Sequence, residues 1–294
     1  MALDNQMSAE LASELSENNR ELVTDPRTVP VRFSNLRHIA RSALHYWYAV
    51  QEGKRDEDTE AKRLGRAAHA IALGGRRIAI FKGAVFNGKE YKGAKQGAWW
   101  DHFKKENAGN EIVTPGEYEK AKAIADALRR NPRAAEMLYE GGTELELEVE
   151  WTWLRGRKCL SHFDAYRKGV FVADMKGARD GALERFGRQA IWSAYHAQCA
   201  FYVTGAEELG HPTPDAFLLV VETGAPHVVT VRRLTPRAVE AGRRQCRAWF
   251  ELLLGYEASN EWPGYSDAIV DLDVVEVDEP YMPDTSATAA DLEL

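Results

Sequence analysis

The stretch Val172-Ala173-Asp174-Met175-Lys176-Gly177-Ala178 sets an acid and a lysine two residues apart at the end of an apolar run. If that run is a β-strand, side chains alternate between its faces, and Asp174 and Lys176 project to the same side. A second acid, Asp164, precedes a tight Arg167-Lys168-Gly169 turn, which brings it into the neighbourhood of Asp174 without fixing the register. Two carboxylates and an ammonium group could therefore converge at one sheet edge. Carboxylate oxygens are hard ligands suited to Mg²⁺ or Mn²⁺, ions that keep waters and bind phosphate oxygens alongside. A neighbouring lysine can orient a metal-bound water or offset the charge that builds during in-line attack at phosphorus. Taken alone, a D-x-K doublet is an ordinary solvated ion pair.

Other residues give it company. Gly65 and His69 stand i, i+4 in Arg63-Leu64-Gly65-Arg66-Ala67-Ala68-His69, so on a helix they share a face, where a glycine would let another backbone approach. Gln198 and Tyr202 have the same spacing just after the D-x-K strand. Each has a plain alternative: a histidine among alanines packs in a core, and a Gln–Tyr pair packs with its hydrogen bonds satisfied.

The elements that must position these groups can be read from periodicity. Ser34 caps a predicted helix to about Tyr48, and Thr114-Pro115-Gly116-Glu117 is a capping-box start for a helix to about Arg130. In TELELEVEWTW the period is two, with Leu145, Leu147, Val149, Trp151 and Trp153 on one face and the glutamates on the other. Strands KCLSHFDAY and VFVADMK follow, then a long predicted helix over about 183–204, the strand pair DAFLLVVE and HVVTVRRL, and a last helix over about 236–256. Residues 74–103, rich in Gly and Lys, read as an irregular excursion with short strands, and Trp99-Trp100 within it as packed indoles. Helices, antiparallel strands, helix, strands, helix is the order of one α/β domain with a central mixed β-sheet flanked by helices.

Composition narrows the classes. There is no apolar run long enough for a membrane span, no basic-then-apolar leader and no G-x-x-x-x-G-K-[ST] loop. Cys159, Cys199 and Cys246 are scattered, which argues against disulfides or a cysteine-held metal and for a reducing cytoplasm. Net charge is −7, but residues 267–294 hold nine acids and no Lys or Arg, and residues 1–30 balance at −4. The body, residues 31–266, is left at +6, which is compatible with a polyanionic partner.

The ordered set of Gly65 to His69, Asp164, Asp174 to Lys176 and Gln198-x-x-x-Tyr202 resembles the PD-(D/E)XK nuclease superfamily in its RecB/lambda-exonuclease form. More narrowly it resembles the RecE-type exonuclease VIII nuclease domain, over residues 31–275. The resemblance covers the nuclease domain at 31–275; polar composition with the Pro26 and Pro30 breaks makes residues 1–30 an acidic, flexible arm, and residues 276–294 read as an acidic tail expected to be disordered. The resemblance implies Mg²⁺ or Mn²⁺ held by His69, Asp164, Asp174 and the Met175 carbonyl, with Lys176 positioning or helping to deprotonate the attacking water. Glu148 matches an acid of the preceding strand, close to the metal or to a second one. Gln198 and Tyr202 would brace the site, and His162 stands where the family usually has Arg. Arg37, Arg41, Arg66, Arg185 and Arg188 form a candidate phosphate track, one of them on the first helix for a 5′-phosphate. The implied activity is digestion of one strand of linear double-stranded DNA from its ends, 5′ to 3′, for recombination. The implied partners are a single-strand annealing protein and further copies of the chain in a trimeric or tetrameric ring. An endonuclease or flap nuclease on the same metal site, or a non-catalytic DNA-binding protein, are the alternatives.

Overall fold

The computed structural model describes residues 25–52, 59–266, 268 and 269. The expected arm and tail fall largely outside the described residues. The described residues up to Pro263 belong to one compact unit and those from Gly264 on to a second.

In the first unit, α1 (Phe33–Leu36) runs into a 3-10 turn (Arg37–Ala40), followed by α2 (Ala43–Glu52) and α3 (Glu60–Leu73). The excursion holds β1 (Ile78–Ile80), β2 (Ala84–Phe86), β3 (Lys89–Tyr91), α4 (Gly97–Glu106) and β4 (Glu111–Val113). Then come α5 (Pro115–Arg130), α6 (Pro132–Tyr139), β5 (Glu144–Trp153), β6 (Arg157–Arg167), β7 (Phe171–Ala178), α7 (Leu183–Trp192), α8 (Tyr195–Glu208), β8 (Asp215–Glu222), β9 (Val229–Arg233) and α9 (Pro236–Ser259). The main sheet has the order β5-β6-β7-β8-β9, antiparallel except for the parallel β7–β8 pair. This is the expected mixed α/β architecture.

Local chemistry accounts for the element ends. Thr114 Oγ1 accepts from the Glu117 N–H and Glu117 Oε2 accepts from the Thr114 N–H, closing the expected capping box of α5. Asn131 ends α5 and its side chain caps α6. Two predicted helices are broken. The Ser34–Tyr48 segment is α1, a 3-10 turn and α2. The long helix after β7 is split at Ala194, which adopts φ +54° between α7 and α8. The break separates α7, with one apolar side, from α8, which is buried nearly all round.

Each face of the sheet carries a core. Trp151, Phe163, Val172 and Leu218 pack against Phe201, Phe250 and Leu253 of α8 and α9. On the other face Ala165, Ala173, Met175 and Leu219 pack against α3, α5 and α6 through Ala67, Ile124, Leu128 and Leu138. Each large side chain so buried contributes roughly 1.5–3 kcal/mol. Residues 25–30, expected in the loose arm, are tied down by Arg157, which donates to the Pro26 carbonyl and forks onto Glu257 in a buried ion pair.

Candidate metal and active site

The chemistry is assembled where the sheet ladder opens. The β6–β7 pairing runs from Arg167–Phe171 to Ala165–Ala173 and stops there. The β5–β6 pairing skips one position, between Leu145–Ala165 and Leu147–Phe163. Extending both registers puts Glu146, Asp164 and Asp174 in one row across three strands. Three carboxylates side by side repel, and the backbone yields at this row. Glu146 takes φ +55°, and the Met175 N–H donates to Asp164 Oδ2 at 2.7 Å. One carboxylate thus satisfies the donor that the parted strands leave over.

Two cations face the row. His69, from α3, sets Nε2 2.9 Å from Asp164 Oδ2 and Nδ1 3.1 Å from Glu146 Oε1. Lys176 Nζ meets Asp174 Oδ2 at 2.5 Å and lies over the Tyr195 ring, 4.6 Å from its centroid. On the same side as Lys176, Gln198 donates to Asp174 Oδ1 (3.1 Å) and to the Tyr202 hydroxyl (2.8 Å). His69, Asp164, Asp174, Lys176, Gln198 and Tyr202, widely separated in sequence, are brought together. Asp174 and Lys176 share a face, as the strand period requires.

Burial and neighbouring charges together set the protonation states. For His69, burial opposes the charged ring, but the charge and hydrogen bond of Asp164, with Glu146 and Asp174 behind, outweigh it and push the imidazole up to about 9. Asp174 is pushed up to about 6, first by burial and then by Asp164, against the pull of Lys176. Asp164 is held below the usual carboxylate range: burial resists its charge, but His69, Lys176 and the Met175 N–H favour it more. Lys176 is likewise buried against its charge, yet Asp174 and Asp164 raise it above the ordinary lysine value, so it remains an ammonium.

Among the described residues, the three-donor group fit for a cation is His69, Glu146 and Asp164, whose ligand atoms lie within 4.8 Å of one another. Two of the three donors are hard carboxylates and the third is an imidazole nitrogen, and Glu146 Oε1 is buried with His69 Nδ1 3.1 Å away but no aligned hydrogen bond to it. These residues fit a divalent ion. Two expectations change. The acid from β5 is Glu146, not Glu148; Glu148 is half-exposed and pairs with Arg32 at 3.1 Å. Asp174 is engaged by Lys176 and Gln198 rather than standing in the three-donor group, with Met175 linking it to Asp164 through the backbone.

Two glycines also exchange roles. A Cβ at Gly65 would meet nothing within 4 Å, so no backbone packs there; the residue instead lines an open cleft of about 330 Å³ with His69, Glu146 and Met175. A Cβ at Gly75 would lie 2.6 Å from Glu146 Oε2, and this is the close approach the site needs. Its signal was the Gly74-Gly75 pair, which offers φ values open only to glycine, here +87° and +79°.

The arginines divide. Arg37 is exposed and lines a second hollow of about 250 Å³ with Arg32, His162, Lys176, Gln198 and Tyr202, on the lysine side of the row. Arg66 lies in the larger cleft with its guanidinium forked onto Glu111 at 2.9–3.0 Å. Arg41, Arg185 and Arg188 are exposed outside both hollows, Arg185 3.4 Å from Asp180.

An acid row at a forked β-hairpin, with a lysine two residues beyond the last acid, inside a mixed sheet covered by helices on both faces, defines the PD-(D/E)XK nuclease class of fold. The chain belongs to the family of PDDEXK-like domains of unknown function, DUF3799, whose model matches residues 32–272. A crystal structure from Eubacterium rectale, described as a "putative exonuclease", shares the fold at TM-score 0.56 and 14% identity, over 88% of this chain and 95% of that one. No curated protein matches the sequence. Among the described residues, no helix is long and apolar enough to cross a membrane.

Proposed function

We propose that the protein is a divalent-metal-dependent DNA nuclease that hydrolyses phosphodiester bonds at the acid row. The observation that carries this is the meeting of His69, Glu146 and Asp164 within 4.8 Å, beside the Asp174–Lys176 pair. His69, Glu146 and Asp164, with Asp174 adjoining, would hold a Mg²⁺ or Mn²⁺ ion, which would supply Lewis-acid charge and activate a water for attack on the phosphodiester. The chain's own groups do the rest. Lys176, protonated at neutral pH, orients the nucleophilic water and offsets charge on the phosphorane-like transition state. An ammonium cannot accept the proton of that water, so positioning, not deprotonation, is its part. Gln198 and Tyr202 hold Asp174 on the lysine side. Arg37, exposed in the hollow beside Lys176, is the arginine best placed for a terminal phosphate.

The finer reading is exonucleolytic digestion of one strand of linear duplex DNA, 5′ to 3′, for recombination by strand annealing. It is supported by the likeness to RecE-type exonucleases, and that likeness also supports a ring of subunits around DNA and an annealing partner. Digestion of a linear duplex labelled at either end, with and without Mg²⁺, tests it, with a covalently closed circle and Asp174→Ala as controls. Shortening of the 5′-labelled strand with the circle left intact is the expected result. A nicked circle would replace the exonuclease by an endonuclease on the same site. No metal-dependent cleavage of any DNA would leave only a DNA-binding role.

A further inference from the structure

The positive excess of the body is not spread over it. Residues 74–113 hold eight Lys or Arg against four acids, a balance of +4 out of the +6 of residues 31–266. This segment leaves α3 a few residues after His69 and returns at β4. Its cations are carried on packed structure. Phe81 is fully buried among Trp99, Trp100 and Phe103, with ring centroids at 6.0, 4.8 and 5.1 Å. The Trp99 indole N–H donates to the Lys82 carbonyl at 3.0 Å. The β2–β3 hairpin turns through Asn87-Gly88, both at positive φ, the geometry that matches strand twist. The base is fastened by the parallel β1–β4 pair and by Lys95, 2.9 Å from Glu117. Arg76 lines the metal cleft with His69 and Glu146. Lys82, Lys92 and Lys105 are exposed and form no ion pair among the described residues.

We infer that this excursion is a second, non-catalytic contact for nucleic acid: a rigid basic platform that grips the phosphate backbone of the duplex as it enters the cleft. The inference rests on the nuclease reading. Phosphate contacts position a duplex without reading its sequence, and a preorganised platform makes them at low entropic cost. The tryptophans serve as the platform's core, not as stacking surfaces for bases.

The test is fluorescence anisotropy of a labelled duplex with the full chain, Ca²⁺ replacing Mg²⁺, over a range of salt concentrations. The triple variant Lys82→Gln/Lys92→Gln/Lys105→Gln is compared with Arg244→Gln/Arg247→Gln, which removes two exposed cations of α9. Each lost phosphate contact lowers the slope of log K against log salt by roughly 0.9, so the platform variant should lose about 2–3 units and bind about tenfold or more weakly. The α9 variant should keep the wild-type slope. Thermal melting shows whether each variant is folded, and Lys82→Glu alone serves if the triple variant is not. An unchanged slope in a folded platform variant, or an equal loss in the α9 variant, overturns the inference. Cleavage by the wild type, measured in parallel with Mg²⁺, separates that outcome from failure of the nuclease reading itself.

Discussion

Lowering the pH from about 9 to about 7 should weaken divalent-cation binding roughly fiftyfold, because without metal His69 holds a proton beside two carboxylates. The imidazole is raised to about 9, so its protonation competes with a cation that needs the neutral ring. Each pH unit well below that value costs about 1.4 kcal/mol of metal affinity, and the step from about 9, where the ring is half protonated, to about 7 costs about 2.3 kcal/mol. The sign for stability is the reverse. A folded-state pKa above the unfolded value stabilises the metal-free protein fully below about 6.5, and that contribution, about 3 kcal/mol, is lost as pH rises through about 9. Titration calorimetry with Mn²⁺ in two buffers of different ionisation enthalpy counts the protons. About one proton should leave per ion at roughly pH 7.5, and His69→Gln should abolish the release. Affinity that is flat between these pH values, with no proton released, would refute the assignment of His69 as both imidazolium and ligand.

Other outcomes follow from the same geometry. Glu146→Gln should lower Mn²⁺ affinity at least tenfold and bring the His69 pKa down, whereas Glu148→Gln, at a position paired with Arg32, should do neither by calorimetry or NMR titration. Lys176→Ala should leave duplex binding intact while kcat falls by about 10²-fold or more; native turnover would remove its assigned role. Activity should fall as pH drops through about 6, where Asp174 takes up a proton and ceases to be an anion; an acid limb unmoved by Asp174→Asn would mean another group titrates. Gly242 sits where α8 and α9 touch, and an added Cβ would lie 2.5 Å from the His196 carbonyl oxygen. Gly242→Ala should therefore cost about 1–3 kcal/mol in chemical denaturation without altering the metal site.

Much of this was legible in the sequence because the strands announce themselves. The tight turn after Arg167 and the apolar period of residues 170–178 brought Asp164 and Asp174 together, and capping chemistry placed α5 exactly as written in Thr114 to Glu117. The histidine was found by its helix face. What escaped was the place where a strand breaks its own period. Strict alternation puts Leu145 and Leu147 on one face with every glutamate opposite. In the structure the positive φ at Glu146 turns Leu145 toward the α3/α5 core and Leu147 toward the α8/α9 core, and the glutamate between them enters the site. No residue type marks that kink, which falls where acids of three strands meet in one row. The split at Ala194 has the same character: neither Gly nor Pro stands there, and burial of α8 on the sheet sets it. The fork of Arg66 onto Glu111 joins residues 45 apart in sequence, a pairing no local pattern encodes.

Crystals grown with Mn²⁺, measured at an X-ray energy where manganese scatters anomalously, offer the most direct view of the claim that three side chains from α3, β5 and β6 share one ion. A single strong peak within coordinating distance of His69, Glu146 and Asp164, lost in Glu146→Gln and kept in Glu148→Gln, is the expected result. A peak elsewhere, or none at saturating Mn²⁺, would contradict the account.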